Sequence, residues 1–445
     1  MNIYYTDKRT TVYHGDCLDV LASMPDNSVD SIVTDPPYGL SNTKPAQVAD
    51  VLKAWVTGDT EAVPAKRGGF MGKDWDSFVP PPAVWEECMR VLKPGGHMAV
   101  FAGARTQDLM GLSIRLAGFE IRDSLAWLYG SGFPKSQNIA RQLDKTLGED
   151  VPIGKSFNTA GGGDRESEFA NNGRSNAHEQ WSPMSDAAKQ WDGWGTALKP
   201  AIEPIILARK PLVGTVVNNV LEHGTGGINI DATRIESDDL EALQKNWDRT
   251  QSSNQGIAST GLAPIDLSDR KPSGRWPANV LLDEHAASWV DEQSGISVSR
   301  RAVLTSTPGA IYGGGAGLPS HTGEYGHNDS GGASRFFPVF KYNAKAPKSE
   351  RPIIEREDGT KIQHPTVKPL ALMEWLIRLI TPPGGTVLDP FAGSGTTIEA
   401  AITEGFNPVG IEMEADYLRL IDVRIARAKE TLDLGGTETN QGEEE

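Results

Sequence analysis

Residues 35–38 read Asp-Pro-Pro-Tyr and follow directly on Ser31-Ile32-Val33-Thr34. The apolar run has the character of the end of a buried strand, and two successive prolines can continue neither a helix nor a ladder of backbone hydrogen bonds. Asp35 and Tyr38 are therefore predicted to sit on a stiff strand exit; a plain proline-rich turn is the competing reading. A second group lies far down the chain, in Leu388-Asp389-Pro390-Phe391-Ala392-Gly393-Ser394-Gly395-Thr396-Thr397. Gly393 and Gly395 fall between a predicted strand and a predicted helix, where the missing side chains let a ligand reach backbone N–H groups at the helix start. No lysine follows, as a phosphate loop would require, and the third glycine of the dinucleotide fingerprint is absent. Glu412, at the end of the next predicted strand, supplies a carboxylate able to accept both hydroxyls of a ribose.

The elements that carry these groups alternate strand and helix. Residues 11–16 read as a short strand, and Asp16 then caps a helix that Pro25 ends. Residues 29–35 form the next strand. Val84, Trp85, Cys88, Val91 and Leu92 recur at helical spacing, and the Lys93–Gly96 stretch is expected to stop that helix. Strand, helix and strand follow over residues 97–130. The same order returns after residue 364, where Pro369 suits the first position of a helix whose apolar face includes Leu372, Leu376 and Leu379. Strands alternating with helices imply βαβ units and a mostly parallel sheet. Between these halves the order fails, apart from one more core strand around Ile205. Residues 157–176 and 309–334 are rich in Gly, Ser and Asn and read as loops.

Bulk composition narrows the classes. The chain has 445 residues and a formal net charge of −16, of which −4 falls in residues 1–131, −4 in 132–350 and −8 in 351–445. That balance argues against a general electrostatic coat for nucleic acid and makes any polyanion contact local. Two cysteines without CxxC spacing and scattered histidines give no structural zinc pattern and suit a reducing compartment. No apolar run approaches the roughly 18 residues of a membrane span, so a soluble cytoplasmic protein is expected.

The Asp35-Pro36-Pro37-Tyr38 unit, His364-Pro365-Thr366-Val367-Lys368-Pro369, the Asp389–Thr397 loop and Gly410-Ile411-Glu412-Met413-Glu414 together resemble the N6-adenine/N4-cytosine DNA methyltransferases. The order is the β-type arrangement, in which the catalytic tetrapeptide precedes the cofactor loop. Residues 12–130 and 364–430 carry the resemblance well, the middle much less. It implies an α/β, Rossmann-like S-adenosylmethionine-dependent methyltransferase fold, circularly permuted, with a large target-recognition insertion. The strands ending at Asp389, Glu412, Asp16 and Asp35 would then share one crevice. The resemblance implies S-adenosylmethionine there, with Asp389, Phe391, Gly393, Gly395 and Thr396 in the cofactor loop, Glu412 on the ribose and Asp16 near the adenine. Thr366 and Lys368 would help hold the methionine carboxylate, and no metal is implied.

An exocyclic base amine is a poor nucleophile because its lone pair is delocalised into the ring. An acceptor on Asp35 and the carbonyl of Pro36, stiffened by Pro37, could draw on its two N–H bonds, while Tyr38 stacks on the flipped base. Adenine N6 is the expected target, since the family's cytosine-N4 members commonly carry Ser where Asp35 stands; N4-cytosine is the alternative. A protein-glutamine methyltransferase, resembling Asn-Pro-Pro-Tyr, and an inactive DNA-binding protein are further alternatives.

The expected organisation is a catalytic half over 1–211 with a flexible loop at about 133–198, a target-recognition region over 212–350, a cofactor-binding half over 351–432 and a disordered acidic tail over 433–445. Arg335, Lys341, Lys345 and Lys348 interleave with Phe336, Phe337, Phe340 and Tyr342, a pattern suited to DNA phosphates. The competing reading places those aromatics in the core and the lysines in solvent. Double-stranded DNA is the expected partner, without a membrane; a homodimer and a nuclease partner are left open.

Overall fold

A computed structural model describes residues 2–41, 43–64, 76–130, 132, 136–149, 181–236, 274–298, 302–304, 323–325, 330–340 and 350–438. The strands are β1 (Ile3–Thr6), β2 (Thr11–His14), β3 (Val29–Thr34), β4 (Leu92–Phe101), β5 (Glu120–Leu128), β6 (Ile202–Arg209), β7 (Val280–Asp283) and β8 (Ser297–Val298). After them come β9 (Ala302–Leu304), β10 (Gly323–Tyr325), β11 (Ser330–Gly331), β12 (Val339–Phe340), β13 (Ile354–Glu355), β14 (Lys361–Ile362), β15 (Thr386–Asp389) and β16 (Asn407–Glu412). Ten of these make one sheet in the order β1-β2-β16-β15-β3-β4-β6-β5-β7-β12. β2, β16, β15, β3 and β4 run parallel, whereas β6 runs antiparallel to both β4 and β5.

The two halves of the sequence therefore interleave within one sheet. β15 lies beside β3, with Val387 opposite Ser31 and Leu388 opposite Ile32. All six residues of β3 are buried, and its polar ones find partners across that seam and on the neighbouring β4. Asp30 accepts from the Thr386 N–H (2.8 Å) and from Lys93 Nζ (2.6 Å), the Ser31 hydroxyl bonds that of Thr381 (2.8 Å), and the Thr34 hydroxyl donates to Asp389 (2.6 Å). Burying these groups unpaired would cost more than the seam gains, so their partners fix which strands meet.

Both faces of the sheet are covered, as a parallel sheet requires. One face packs Leu21, Trp85, Met98, Met110 and Ile114 into a core cluster. The other packs Leu372, Met373 and Leu376 from the helix Leu370–Ile380 against Phe101, Trp127 and Leu207. Behind the helix Thr396–Thr403, the fully buried Arg424 is ion-paired with Glu399, which also pairs with Arg427 (2.5 Å). Burial alone would lower the Arg424 pKa, and Glu399 opposes it. Glu399→Ala leaves that guanidinium uncompensated, so a loss of about 3–5 kcal/mol is expected. A fall in the urea midpoint at unchanged slope is the measurement that checks it.

Several sequence expectations shift. The segment expected as a flexible loop contains helices Ile139–Leu147 and Asp186–Gln190, and Gly132–Ala201 clusters as a compact unit of its own. Asn138 and Ser185 cap those helices, and Asp144 accepts from the Met184 and Ser185 N–H groups (2.8 and 2.9 Å). The 212–350 region contributes β7 and β12 to the main sheet, so it is not wholly separate from the core. The helix after β16 runs Ala415–Glu438, past the expected start of the tail at 433. Lys93–Gly96 belongs to β4, because Leu92 leaves the preceding helix directly in an extended conformation. Pro369 takes the N-cap of its helix, not the first helical position.

Candidate active site

Asp16, Asp35, Asp389 and Glu412 all lie at or just beyond the C-terminal ends of neighbouring parallel strands, where open α/β sheets place ligands. Their surroundings divide the row into two parts.

On the loop side, Asp389 is buried and engaged within the protein. Its oxygens accept from the hydroxyls of Thr34 (2.6 Å) and Thr397 (2.5 Å) and from the Phe391 N–H (3.0 Å). Burial raises its pKa to about 6, against the pull of those donors. Asp389 thereby shapes the loop that follows it. Gly395 adopts φ +85° as the N-cap of the helix, and a Cβ there would come within 3.0 Å of Ile421. Gly393, at φ +53°, faces His364, whose ring nitrogen would stand 3.1 Å from an added Cβ. Thr396 opens the helix and is buried; the Phe391 ring lies 6.4 Å from Trp85 between centroids.

Glu412 closes this side. One oxygen accepts from the Gly393 N–H and the other from the Glu414 N–H, both at 2.7 Å. Burial raises its pKa to about 7, although both N–H groups oppose the shift. A carboxylate oxygen has two lone pairs, so each oxygen keeps acceptor capacity after its backbone bond. That donor and acceptor chemistry fits a ribose with two vicinal hydroxyls. Asp16 is exposed and accepts from the Leu18 N–H (2.9 Å) as a helix cap.

On the tetrapeptide side, Tyr38 and Gly39 donate their backbone N–H groups to the buried Asp76 at 2.8 and 2.9 Å, and Thr106 donates to the Tyr38 carbonyl at 2.6 Å. Gly39 has φ +65°, and a Cβ there would meet the Val79 nitrogen at 2.7 Å, so the turn demands glycine. Pro36 is buried and Pro37 half-buried. The carboxylate of Asp35 is split in role: Oδ2 lies 2.9 Å from Lys368 Nζ, whereas Oδ1 is buried without a hydrogen-bond partner among the described residues. Buried acceptors are rarely left unmatched, and here the group stands beside a rigid backbone.

Lys368 is placed differently from expectation. Its ammonium bonds Asp35, Glu203 (3.1 Å) and the Tyr38 hydroxyl (2.9 Å), and stands over the Phe101 ring at 4.8 Å. Burial would lower its pKa, but the two carboxylates more than reverse that and hold it charged. The lysine thus belongs to the tetrapeptide side in this structure. Thr366 is exposed, and its carbonyl is held by His364 Nδ1. Burial also drives the Tyr38 phenol well above its usual range, with Asp35 and Glu203 adding to the effect.

Glu203 and Asp76 were not singled out by sequence. Glu203 opens a segment readable only as a core strand; Asp76 lies in an irregular stretch with no motif. The only sequence signal at Glu203 is a charged residue on the edge of an apolar run.

Of the proposed DNA-contacting residues, Arg335 is engaged internally. Its guanidinium donates to the Gly331 and Gly332 carbonyls (2.7 and 2.6 Å) and covers the Phe336 ring at 4.2 Å. Phe340 is core, edge-on to Trp127 (5.7 Å) and Trp375 (6.1 Å). Lys341, Lys345 and Lys348 lie outside the described residues.

A mostly parallel α/β sheet with two sets of groups along one strand edge is a Rossmann-like architecture. A family model described as DNA methylase matches residues 29–423, and the chain belongs to that N6/N4 DNA methylase family, whose methyl donor is S-adenosylmethionine. Escherichia coli K12 YubD is 42% identical over 72 residues, 16% of this chain and 32% of YubD. The DNA adenine methyltransferase YhdJ of the same strain is 47% identical over 57 residues, 13% of this chain and 19% of YhdJ. The chain thus spans about a third and a fifth of these curated relatives. The solved PvuII DNA methyltransferase (cytosine-N4-specific) aligns over 95% of this chain and 88% of its own, at 14% identity and a TM-score of 0.40. No helix among the described residues is long and apolar enough to cross a membrane.

Proposed function

We propose that this protein is a site-specific DNA methyltransferase that methylates the exocyclic N6 of an adenine flipped out of double-stranded DNA. The observation that carries the reading is the buried Oδ1 of Asp35 on the rigid exit of β3, which has no hydrogen-bond partner among the described residues. In this reading Glu412 receives the ribose hydroxyls, and the Gly393–Gly395 backbone and Thr396 cradle the remainder, with Asp16 toward the adenine of the cofactor. S-adenosylmethionine supplies an electrophilic sulfonium methyl at that loop.

Asp35 Oδ1 and the Pro36 carbonyl each accept one N–H of the target amine. Drawing on both bonds concentrates the nitrogen lone pair out of the ring plane, where it can attack the methyl carbon. Bound at that loop, S-adenosylmethionine would supply the methyl group and keep the electron pair of the bond it gives up. The surplus proton on nitrogen passes to Asp35. Tyr38 provides a ring face for the base, at an unstacking cost of a few kcal/mol that the pocket must offset. Lys341, Lys345 and Lys348 are proposed to contact phosphates, which orient a duplex without reading it.

Adenine is favoured because the tetrapeptide carries Asp35 where Ser would suit cytosine. The test is incubation with plasmid DNA and methyl-labelled S-adenosylmethionine, followed by digestion to nucleosides. Label in N6-methyladenine is expected; label only in N4-methylcytosine would replace the base assignment, and label only in protein would replace the substrate class.

A further inference from the structure

We propose that Glu203 is a positioning residue for methyl transfer, holding the Lys368 ammonium so that Asp35 keeps one carboxylate oxygen for the target amine. This rests on the reading of Asp35 as the acceptor.

An ammonium has three N–H donors and no acceptor. In this structure three acceptors surround Lys368 Nζ: Asp35 Oδ2 at 2.9 Å, the Tyr38 hydroxyl at 2.9 Å and Glu203 Oε2 at 3.1 Å. The three donors are therefore matched one to one, and none remains for Asp35 Oδ1. That atom has no partner among the described residues although it belongs to the same carboxylate. The side chain of Lys368 is only 9% exposed, so a donor released from Glu203 has little access to water. It would turn to the unmatched oxygen of the carboxylate it already bonds, Asp35 Oδ1. The lysine would then hold both oxygens of Asp35, and the amine would have to displace a charge-assisted bond to reach one.

The fold explains how this third acceptor arrives. Parallel strands bring their C-terminal ends to the site, but β6 runs antiparallel to β4, with Ile205 opposite Phe101. It is the start of β6, with Glu203 paired to Trp127 of β5, that reaches the edge where β3 ends. The neighbouring phenol of Tyr129 is buried, and Glu203 adds to the rise of its pKa to about 12, so Tyr129 remains neutral and brings no competing charge at neutral pH.

Glu203→Met keeps the length of the side chain and removes its acceptor. An expected fall in kcat of about 10- to 100-fold is the size seen when an outer partner that orients a contacting group is lost. KM for DNA and the dissociation constant of S-adenosylmethionine should hardly move. Glu203→Gln, whose amide oxygen still accepts, should retain most of kcat. In a Lys368→Met background, Glu203→Met should cost far less, because the ammonium it holds is gone and only the longer bond from the Tyr38 hydroxyl (3.5 Å) is left to lose. Glu203→Asp, which withdraws the acceptor, should lose rate as Met does, and serves if the Met variant does not fold. Wild-type kcat in Glu203→Met, equal losses in Gln and Met, or an undiminished further loss in the Lys368→Met background would each overturn the proposal. Full activity in Asp35→Asn would instead overturn the reading of Asp35 on which it rests.

Discussion

Asp35→Ala is expected to lower the rate of methyl transfer by about 10²- to 10³-fold or more, the cost of removing a preorganised acceptor from a transition state. The dissociation constant for S-adenosylmethionine should stay nearly unchanged. The carboxylate faces the tetrapeptide side of the row, while the loop side is built from Asp389, Gly393 and Glu412 with its own hydrogen bonds. The variant should also fold, since Lys368 keeps Glu203 and the Tyr38 hydroxyl as partners. Single-turnover transfer to plasmid DNA, alongside an equilibrium titration of cofactor, separates the two effects. Comparable losses in both would move Asp35 into the cofactor site.

Glu412→Ala should act the other way round. Losing two hydroxyl bonds to a charged acceptor at about 1.5–3 kcal/mol each predicts cofactor binding weaker by roughly 100-fold or more. DNA affinity measured without cofactor should change little, and an unaltered cofactor titration would remove the ribose assignment. The same residue predicts a pH dependence. Burial raises Glu412 from 4.5 to about 7 and Asp389 from 3.8 to about 6 in the ligand-free protein. Only ionised Glu412 accepts from both ribose hydroxyls, so affinity should fall as pH drops below about 7, and binding between pH 6 and 7 should release protons. Calorimetry in two buffers of different ionisation enthalpy measures that release; a proton count of zero would sink the assignment. For the ligand-free fold the sign is opposite to that of salt-bridged carboxylates. The folded chain holds more protons than the unfolded one over this interval, so the stability these groups contribute is full below about pH 4 and is lost as pH rises through 6 to 7.

The backbone character of the two motifs was legible in the chain because it is local. Two prolines after a buried run stiffen whatever follows Val33, and paired glycines before Thr396 expose N–H groups at a helix start; both consequences follow from residue type within a few positions. The mostly parallel sheet was equally legible, since strands alternating with helices imply βαβ units; its permuted order came only from the family resemblance. The helices Ile139–Leu147 and Asp186–Gln190 were hidden because the bond that tethers Asp144 to the cap residue Ser185 spans forty intervening residues, mostly of loop composition.

Which groups share charge at the site was decided by tertiary structure alone. Lys368 reads in sequence as part of a motif beside the cofactor loop, yet its ammonium comes to rest between Asp35 and Glu203. Glu203 is invisible as a site residue because its position depends on β6 running against β4. Reverse that strand and the glutamate would lie at the opposite edge of the sheet. Local sequence fixes the stiffness of a turn and the exposure of a backbone N–H; the pairing of buried charges is set by strand direction and register, which long-range packing determines.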